Sequence, residues 1–163
     1  MSSNGIKTTF WGPHAWAFLF SMIAGVYPVR VDRNNRDHMK TVKAMKTILS
    51  SLQYTLPCSY CRQSYGRFIK ELPMKAYAGS RREMMKWLYL LHDKVNQKLM
   101  KQERECYETA KAELQSTHKS TPEKLKKLRA QIIRTKPSPT FDKVLIMYEK
   151  QRAGCSSKTK HCA

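Results

Sequence analysis

The chain reads as an all-α protein: a four-helix bundle with a short fifth helix and an inserted, charged helical hairpin. Three observations predict this. Apolar residues recur mostly three and four positions apart, the period of a helix face. Only six glycines occur in 163 residues. Helix-start signals, a capping residue or a proline ahead of an apolar-periodic run, recur along the chain.

Taken in order, the first helix is expected from about Pro13 to Val26 and is apolar nearly all round, which predicts a central helix. Tyr27-Pro28 ends it. Asp32 is the expected N-cap of the second helix, whose buried stripe is Met39, Val42, Met45, Leu49 and Leu52. The third starts at Pro57, a residue suited to the first helical position. Tyr65, Phe68 and Leu72 continue it at helical spacing. Ser80 and Glu83 have capping-box spacing and open the fourth helix, with Met84, Trp87, Leu88, Leu91, Val95 and Leu99 as its inner stripe. From Lys101 the pattern turns polar and charged. Thr121-Pro122-Glu123 then reads as cap, first helical position and acidic first turn, ahead of a thin seam of Leu125, Leu128 and Ile132. Residues 101–134 therefore form a charged hairpin, or an overlong fourth helix with a returning one. Lys136 to Thr140 is a hinge, and Phe141, Val144, Leu145 and Tyr148 mark a short returning helix. The domain expectation is a bundle of 1–100 and 137–150, a charged insertion of 101–136, and a tail of 151–163.

Leu56-Pro57-Cys58-Ser59-Tyr60-Cys61 holds the single Cys-x-x-Cys. At the start of a helix, Cys58 and Cys61 share one side of the first turn. The positive end of the helix dipole there favours thiolate over thiol. Read alone, the motif fits a redox pair, half a zinc site, or two packed cysteines. His92 and Asn96 lie four apart and point the same way. A lone helix histidine is usually packed or solvated; beside an asparagine on the edge of a core helix it becomes a candidate for gripping a polar ligand.

Lysine and arginine outnumber aspartate and glutamate by 31 to 12, a formal charge of +19. That predicts attraction to polyanions such as nucleic acid or acidic proteins. The excess is spread along the chain and is not interleaved with aromatics as in base-stacking surfaces. No apolar run approaches the roughly 20 residues of a membrane span, and the N-terminus lacks the layout of a secretory signal. A soluble, cytosolic chain is expected, where structural disulfides are uncommon and catalytic ones are the exception.

Three pieces now stand in order: Trp11-Gly12-Pro13-x-x-Trp16, Pro57-Cys58-x-x-Cys61, and His92-Asp93-x-Val95-Asn96-x-Lys98-Leu99. This arrangement resembles the Erv/ALR family of FAD-linked sulfhydryl oxidases, above all the compact forms of large DNA viruses, which often open with Trp-Gly-Pro. The resemblance covers about 11–100 and 137–149. It implies a helical bundle that binds FAD, usually as a homodimer, and oxidises thiol-containing protein substrates to disulfides while O2 becomes H2O2. Viral particle assembly, in the infected-cell cytoplasm or the virion, is the implied setting.

By the same resemblance Cys61 is the flavin-proximal sulfur and Cys58 exchanges with incoming thiols. Trp16 and Trp87 are candidate walls for the isoalloxazine. His92, Asn96 and Lys98 match positions around adenosine and phosphate, Val95 the residue packed beside them, and Lys101 a basic position just beyond. Phe20 stands where the family usually carries a histidine that contacts FAD; it can pack against adenine but cannot hydrogen-bond. Asp93 replaces a frequent asparagine. Cys155 and Cys162 are a candidate shuttle pair on a tail arm, and Cys106 has no evident partner for the disulfide that staples many cellular members. No metal is implied. The alternatives are a scaffold of the same fold that docks through its basic surface, and a basic nucleic-acid-binding protein with a zinc clip formed with the tail cysteines.

Overall fold

Helix α1 spans Thr8–Val26, so it starts well before Pro13. Pro13 lies inside the helix, where a proline removes one backbone bond and its ring crowds the carbonyl four residues back. The first turn is instead set from outside: the Trp11 indole donates to Ile6 O at 3.1 Å, and Phe10 N donates to Lys7 O at 3.1 Å. Nor is α1 central. Leu19, Phe20, Ile23 and Ala24 are buried, while Phe10, Phe18 and Val26 are exposed. A uniformly apolar sequence thus buries only one face. These coordinates, a computed structural model, describe residues 4–117 and 120–152, so the expected shuttle pair Cys155 and Cys162 lies outside the described residues.

Helix α2 (Arg36–Thr55) is capped by Asn35, not by Asp32. The Asn35 carboxamide oxygen accepts from Asp37 N at 3.0 Å and His38 N at 3.1 Å. Asp32 folds a tight turn one step earlier: its carboxylate accepts from Asn34 N at 2.9 Å, and its own N–H donates to His38 Nδ1 at 3.2 Å. Both residues are good caps; the one nearer the apolar stripe takes the helix. Val42, Met45 and Leu49 are buried as expected, and Met39 is exposed.

Helix α3 (Ser59–Glu71) packs along α2. Its Tyr65 hydroxyl donates to Leu49 O at 2.7 Å, and burial pushes that phenol's pKa up. A 3-10 turn (Met74–Tyr77) leads to α4 (Arg81–Ser116). Ser80 Oγ accepts from Glu83 N at 3.2 Å, the cap expected from sequence. The loop after α1 is laced to this start. Tyr27 OH donates to Ala78 O at 2.9 Å, Arg81 Nε donates to Tyr27 O at 2.7 Å, and Arg81 N donates to Pro28 O at 2.8 Å. Burial, with the Glu83 charge, pushes Tyr27 up to about 12.

α5 (Pro122–Ile132) begins as read, with Pro122 in the first turn and Thr121 Oγ1 accepting from Lys124 N at 3.3 Å. α6 (Phe141–Lys150) packs on α1, with Tyr148 stacked on Phe20 at 5.2 Å between ring centroids. The described residues are thus helical, with isolated bridges in place of strands.

The chain divides into two units. The first joins the described residues up to Leu91 with those from Thr140 on, and holds α1, α2, α3, the start of α4, and α6. Ile23, Leu49, Met84, Met85, Trp87, Leu88 and Leu91 form its fully enclosed core. The second, His92–Pro139, carries the rest of α4 with α5. After α5 the chain returns to Glu103 of α4. That carboxylate accepts from Arg134 N (3.0 Å), Thr135 N (2.9 Å) and Thr135 Oγ1 (2.7 Å). Of the two arrangements open for 101–134, the structure has the overlong helix with a returning one.

Candidate dithiol site

The Cys-x-x-Cys is built by two pieces of the first unit. Pro57 does not enter α3. Cys58 is the N-cap, in extended backbone with φ −123° and ψ 127°, and Cys61 follows in the first turn. The Cys58 sulfur accepts a hydrogen bond from Cys61 N at 3.3 Å. This is the bond a serine or aspartate cap makes, here made by sulfur. A thiolate accepts such a bond better than a thiol, and it sits at the positive end of the helix dipole. Arg62, one residue on, anchors its guanidinium on Leu56 O at 2.7 Å, which places a cation beside the same turn. Both cysteines are half-buried: shielded, yet within reach of a partner.

The second piece is the N-terminal strap Asn4–Ile6, which sequence reading missed. Gly5 pairs antiparallel with Cys58. Ile6 N donates to Pro57 O at 3.0 Å, and Ser59 N donates to Asn4 O at 3.1 Å. The strap therefore holds the backbone on both sides of Cys58 in the extended form that the cap requires. Gly5 has φ +95°, and a Cβ there would lie 1.7 Å from Pro57 O. A glycine just ahead of the first apolar run was the available signal, but nothing in its local pattern named a partner about fifty residues away.

Of the other expected site residues in this unit, Trp16 is half-buried. Trp87 and Phe20 are both enclosed by the packing. Trp87 is wholly enclosed, its indole donating to Leu72 O at 2.9 Å, and it has no ring face to offer a ligand. Phe20 lies in the core against Tyr148. Apolar residues on inner stripes read alike as core or as ligand wall, and here both are core.

In the second unit, His92, Val95, Asn96 and Lys98 are half-buried on α4. Burial lowers the His92 pKa, while the Asp93 charge works against it without prevailing; the ring is neutral at neutral pH. Asn96 Nδ2 donates to Ser138 Oγ at 2.9 Å. Asp93 is turned to its own helix, accepting from Gln97 Nε2 at 2.6 Å. Lys101 faces solvent near Glu105, at 3.8 Å. Cys106 is exposed. Among the described residues, no cluster of three or more histidine, cysteine, aspartate or glutamate side chains could hold a metal ion, and no helix is long and apolar enough to cross a membrane.

Fold and site together define a helical protein with a vicinal dithiol at a helix N-terminus. The chain belongs to the Erv1/Alr family, whose family model matches residues 13–129. It is 34% identical over 90 residues to the FAD-linked sulfhydryl oxidase ERV1 of Arabidopsis thaliana, covering 55% of this chain and 42% of that protein. It is 28% identical over 95 residues to the mitochondrial FAD-linked sulfhydryl oxidase ERV1 of Saccharomyces cerevisiae, covering 58% and 46%. The match thus spans less than half the length of either relative. Set on the crystal structure of the yeast Erv1 core, the chain gives a TM-score of 0.48 at 25% identity, over 61% of this chain and 76% of that one.

Proposed function

We propose that this chain is an FAD-dependent thiol oxidase that forms disulfides in protein substrates and passes the electrons to O2, giving H2O2. The observation that carries the reading is the Cys58 sulfur seated as the N-cap of α3 and hydrogen-bonded by Cys61 N, in a chain of the Erv1/Alr family. A thiolate stabilised in this way is a good leaving group in thiol–disulfide exchange. By the family resemblance, Cys58 would exchange with the incoming thiol and Cys61 would hand electrons on to FAD.

The donor set of α4 fits the nucleotide part of FAD. His92, neutral, and Asn96 offer hydrogen bonds to adenosine, Val95 an apolar contact, and Lys98 and Lys101 positive charge to the pyrophosphate. In the first unit, Trp16 is half-buried, whereas Phe20 and Trp87 are enclosed in the core. When bound, FAD would supply the two-electron acceptor for the dithiol and the route from it to O2. The protein's share is to hold Cys58 and Cys61 in register, with the Cys58 sulfur capping α3. The apolar Phe18 and Val26 left exposed on α1 support a homodimer. The Trp11-Gly12-Pro13 opening supports a viral oxidase acting in particle assembly, in the infected-cell cytoplasm or the virion.

The test is an absorbance spectrum of the purified protein with dithiothreitol-dependent peroxide release in air. Flavin bands near ~450 nm and peroxide are expected. Cys58→Ser and Cys61→Ser are expected to keep the colour and lose turnover; in the former the serine oxygen takes over the cap, so folding is retained. A colourless protein that takes up no FAD would end the oxidase reading and leave the basic scaffold.

A further inference from the structure

Beside the dithiol, α2 and α3 leave a groove of about 450 Å³. It is lined by Gln53 of α2 and by Ser59, Arg62, Gly66, Arg67 and Lys70 along α3, with Gln63 between them. Three features set it apart from an ordinary helix seam. It begins at Ser59, the residue after Cys58. It carries three cations and no acidic side chain. Its floor at Gly66 has no side chain, and a Cβ there would only touch Gln53, at 3.5 Å, so depth is kept where two helices meet. Arg62 is pinned by its bond to Leu56 O, whereas Arg67 and Lys70 are exposed. One charge is thus fixed at Leu56 O, two residues before Cys58, with two more one to two turns along α3.

We infer that this groove is the docking site for protein substrates, and that it selects cysteine pairs flanked by acidic residues. The inference rests on the dithiol reading and names its substrate class. A segment carrying aspartate or glutamate beside its cysteines lies along α3 with its carboxylates on Arg67 and Lys70 and its thiol at Cys58. The substrate thiolate attacks the Cys58 sulfur of the oxidised Cys58–Cys61 pair; the S–S bond breaks and Cys61 leaves as thiolate. The second substrate thiolate then attacks its own half of the mixed disulfide and releases Cys58. The substrate loses two electrons and two protons, and the pair gains the two electrons. A basic segment meets three like charges in the same place. Charged grooves of this kind raise association rates of matching partners by about tenfold or more, and salt removes the effect.

The test uses the full chain, its dithiol oxidised with diamide, and follows exchange with two reduced peptides that share one Cys-x-x-Cys and differ only in glutamate or lysine flanks. Each rate is divided by the same protein's rate with dithiothreitol, which carries no charge. Expected for the unaltered protein is an acidic-to-basic ratio of about ten at low salt, falling toward one at high salt. Arg67→Glu with Lys70→Glu inverts the ratio. Lys40→Glu with Lys43→Glu, an equal change of net charge on α2, leaves it standing. Equal rates for both peptides, or a ratio moved as far by the α2 pair as by the α3 pair, would overturn the inference while the dithiol reading stands. Failure of the unaltered protein to exchange with dithiothreitol would overturn both.

Discussion

Gly5→Ala isolates the contribution of the N-terminal strap. The native φ of +95° is a conformation that L side chains rarely adopt, and the new Cβ would sit 1.7 Å from Pro57 O and 2.8 Å from its carbonyl carbon. Side-chain adjustment cannot relieve a clash with backbone, so the strap must leave. With it go the bonds from Ile6 N to Pro57 O and from Ser59 N to Asn4 O, worth about 0.5–1.5 kcal/mol each. Local destabilisation of about 1–3 kcal/mol follows. It is confined to the strap and the α3 cap, because Asn4–Ile6 are exposed and add little to the core. Amide hydrogen exchange by NMR reads this directly. Ile6 and Ser59 are expected to exchange about 5- to 150-fold faster, while amides of the α4 core, such as Leu88, keep their protection. Alkylation of Cys58 should also accelerate, since its backbone is no longer held extended. If both amides exchange as slowly in the variant as in the native chain, the strap does not brace Cys58 and the reasoning fails.

Three further outcomes are expected. Trp87→Phe leaves Leu72 O without its buried donor and opens space in the core, so chemical denaturation should show a loss of about 1–4 kcal/mol. His92 binds a proton less readily folded than unfolded, because burial lowers its pKa. The stability it contributes is therefore whole above the unfolded value of about 6.5 and is lost as pH falls through the lower folded one. Denaturation of the native chain and His92→Gln at pH 8 and pH 5 should show the native chain losing more on acidification. For Glu103, burial raises the pKa, but hydrogen bonds from Thr135 and Arg134 and the Arg134 charge prevail and lower it. Its contribution is present above about pH 4.3 and lost as pH falls through the folded value. Glu103→Gln should speed exchange at the Thr135 amide near neutral pH.

Where local chemistry alone decides, the sequence was a good guide. Ser80 and Thr121 cap their helices as read, because each meets its N–H three residues on whatever the rest of the chain does. Where two local solutions compete, it was not. Asp32 and Asn35 are both fit to cap α2, and the choice depends on His38, whose Nδ1 accepts from Asp32 N and draws Asp32 into the preceding turn. Pro13 is equally ambiguous: its φ suits a first turn or a later one, and the Trp11–Ile6 bond moves the start of α1 back to Thr8.

The candidate site divides along the same line. Spacing put Cys58 and Cys61 together at the start of α3, where the structure also has them, because capping acts within one turn. It read Trp87 and Phe20 as ligand walls where the structure packs both in the core, because a ring in the core and a ring at a ligand present the same hydrophobic period; the packing around Leu72 O and Tyr148 is not written in that period. It also placed Pro57 inside α3. A proline before a cysteine suits the first helical position, but equally the residue ahead of the cap, where Pro57 O is left to accept from Ile6 N. That one-residue shift decides the chemistry. Inside the helix, a Cys58 side chain would lie along the first turn and Cys61 N would belong to a backbone carbonyl. As the cap, Cys58 receives that N–H on sulfur, so the group proposed to exchange with substrate is also the group the helix stabilises. Anything that pushes Cys58 one position into α3 should therefore slow exchange even with both thiols intact.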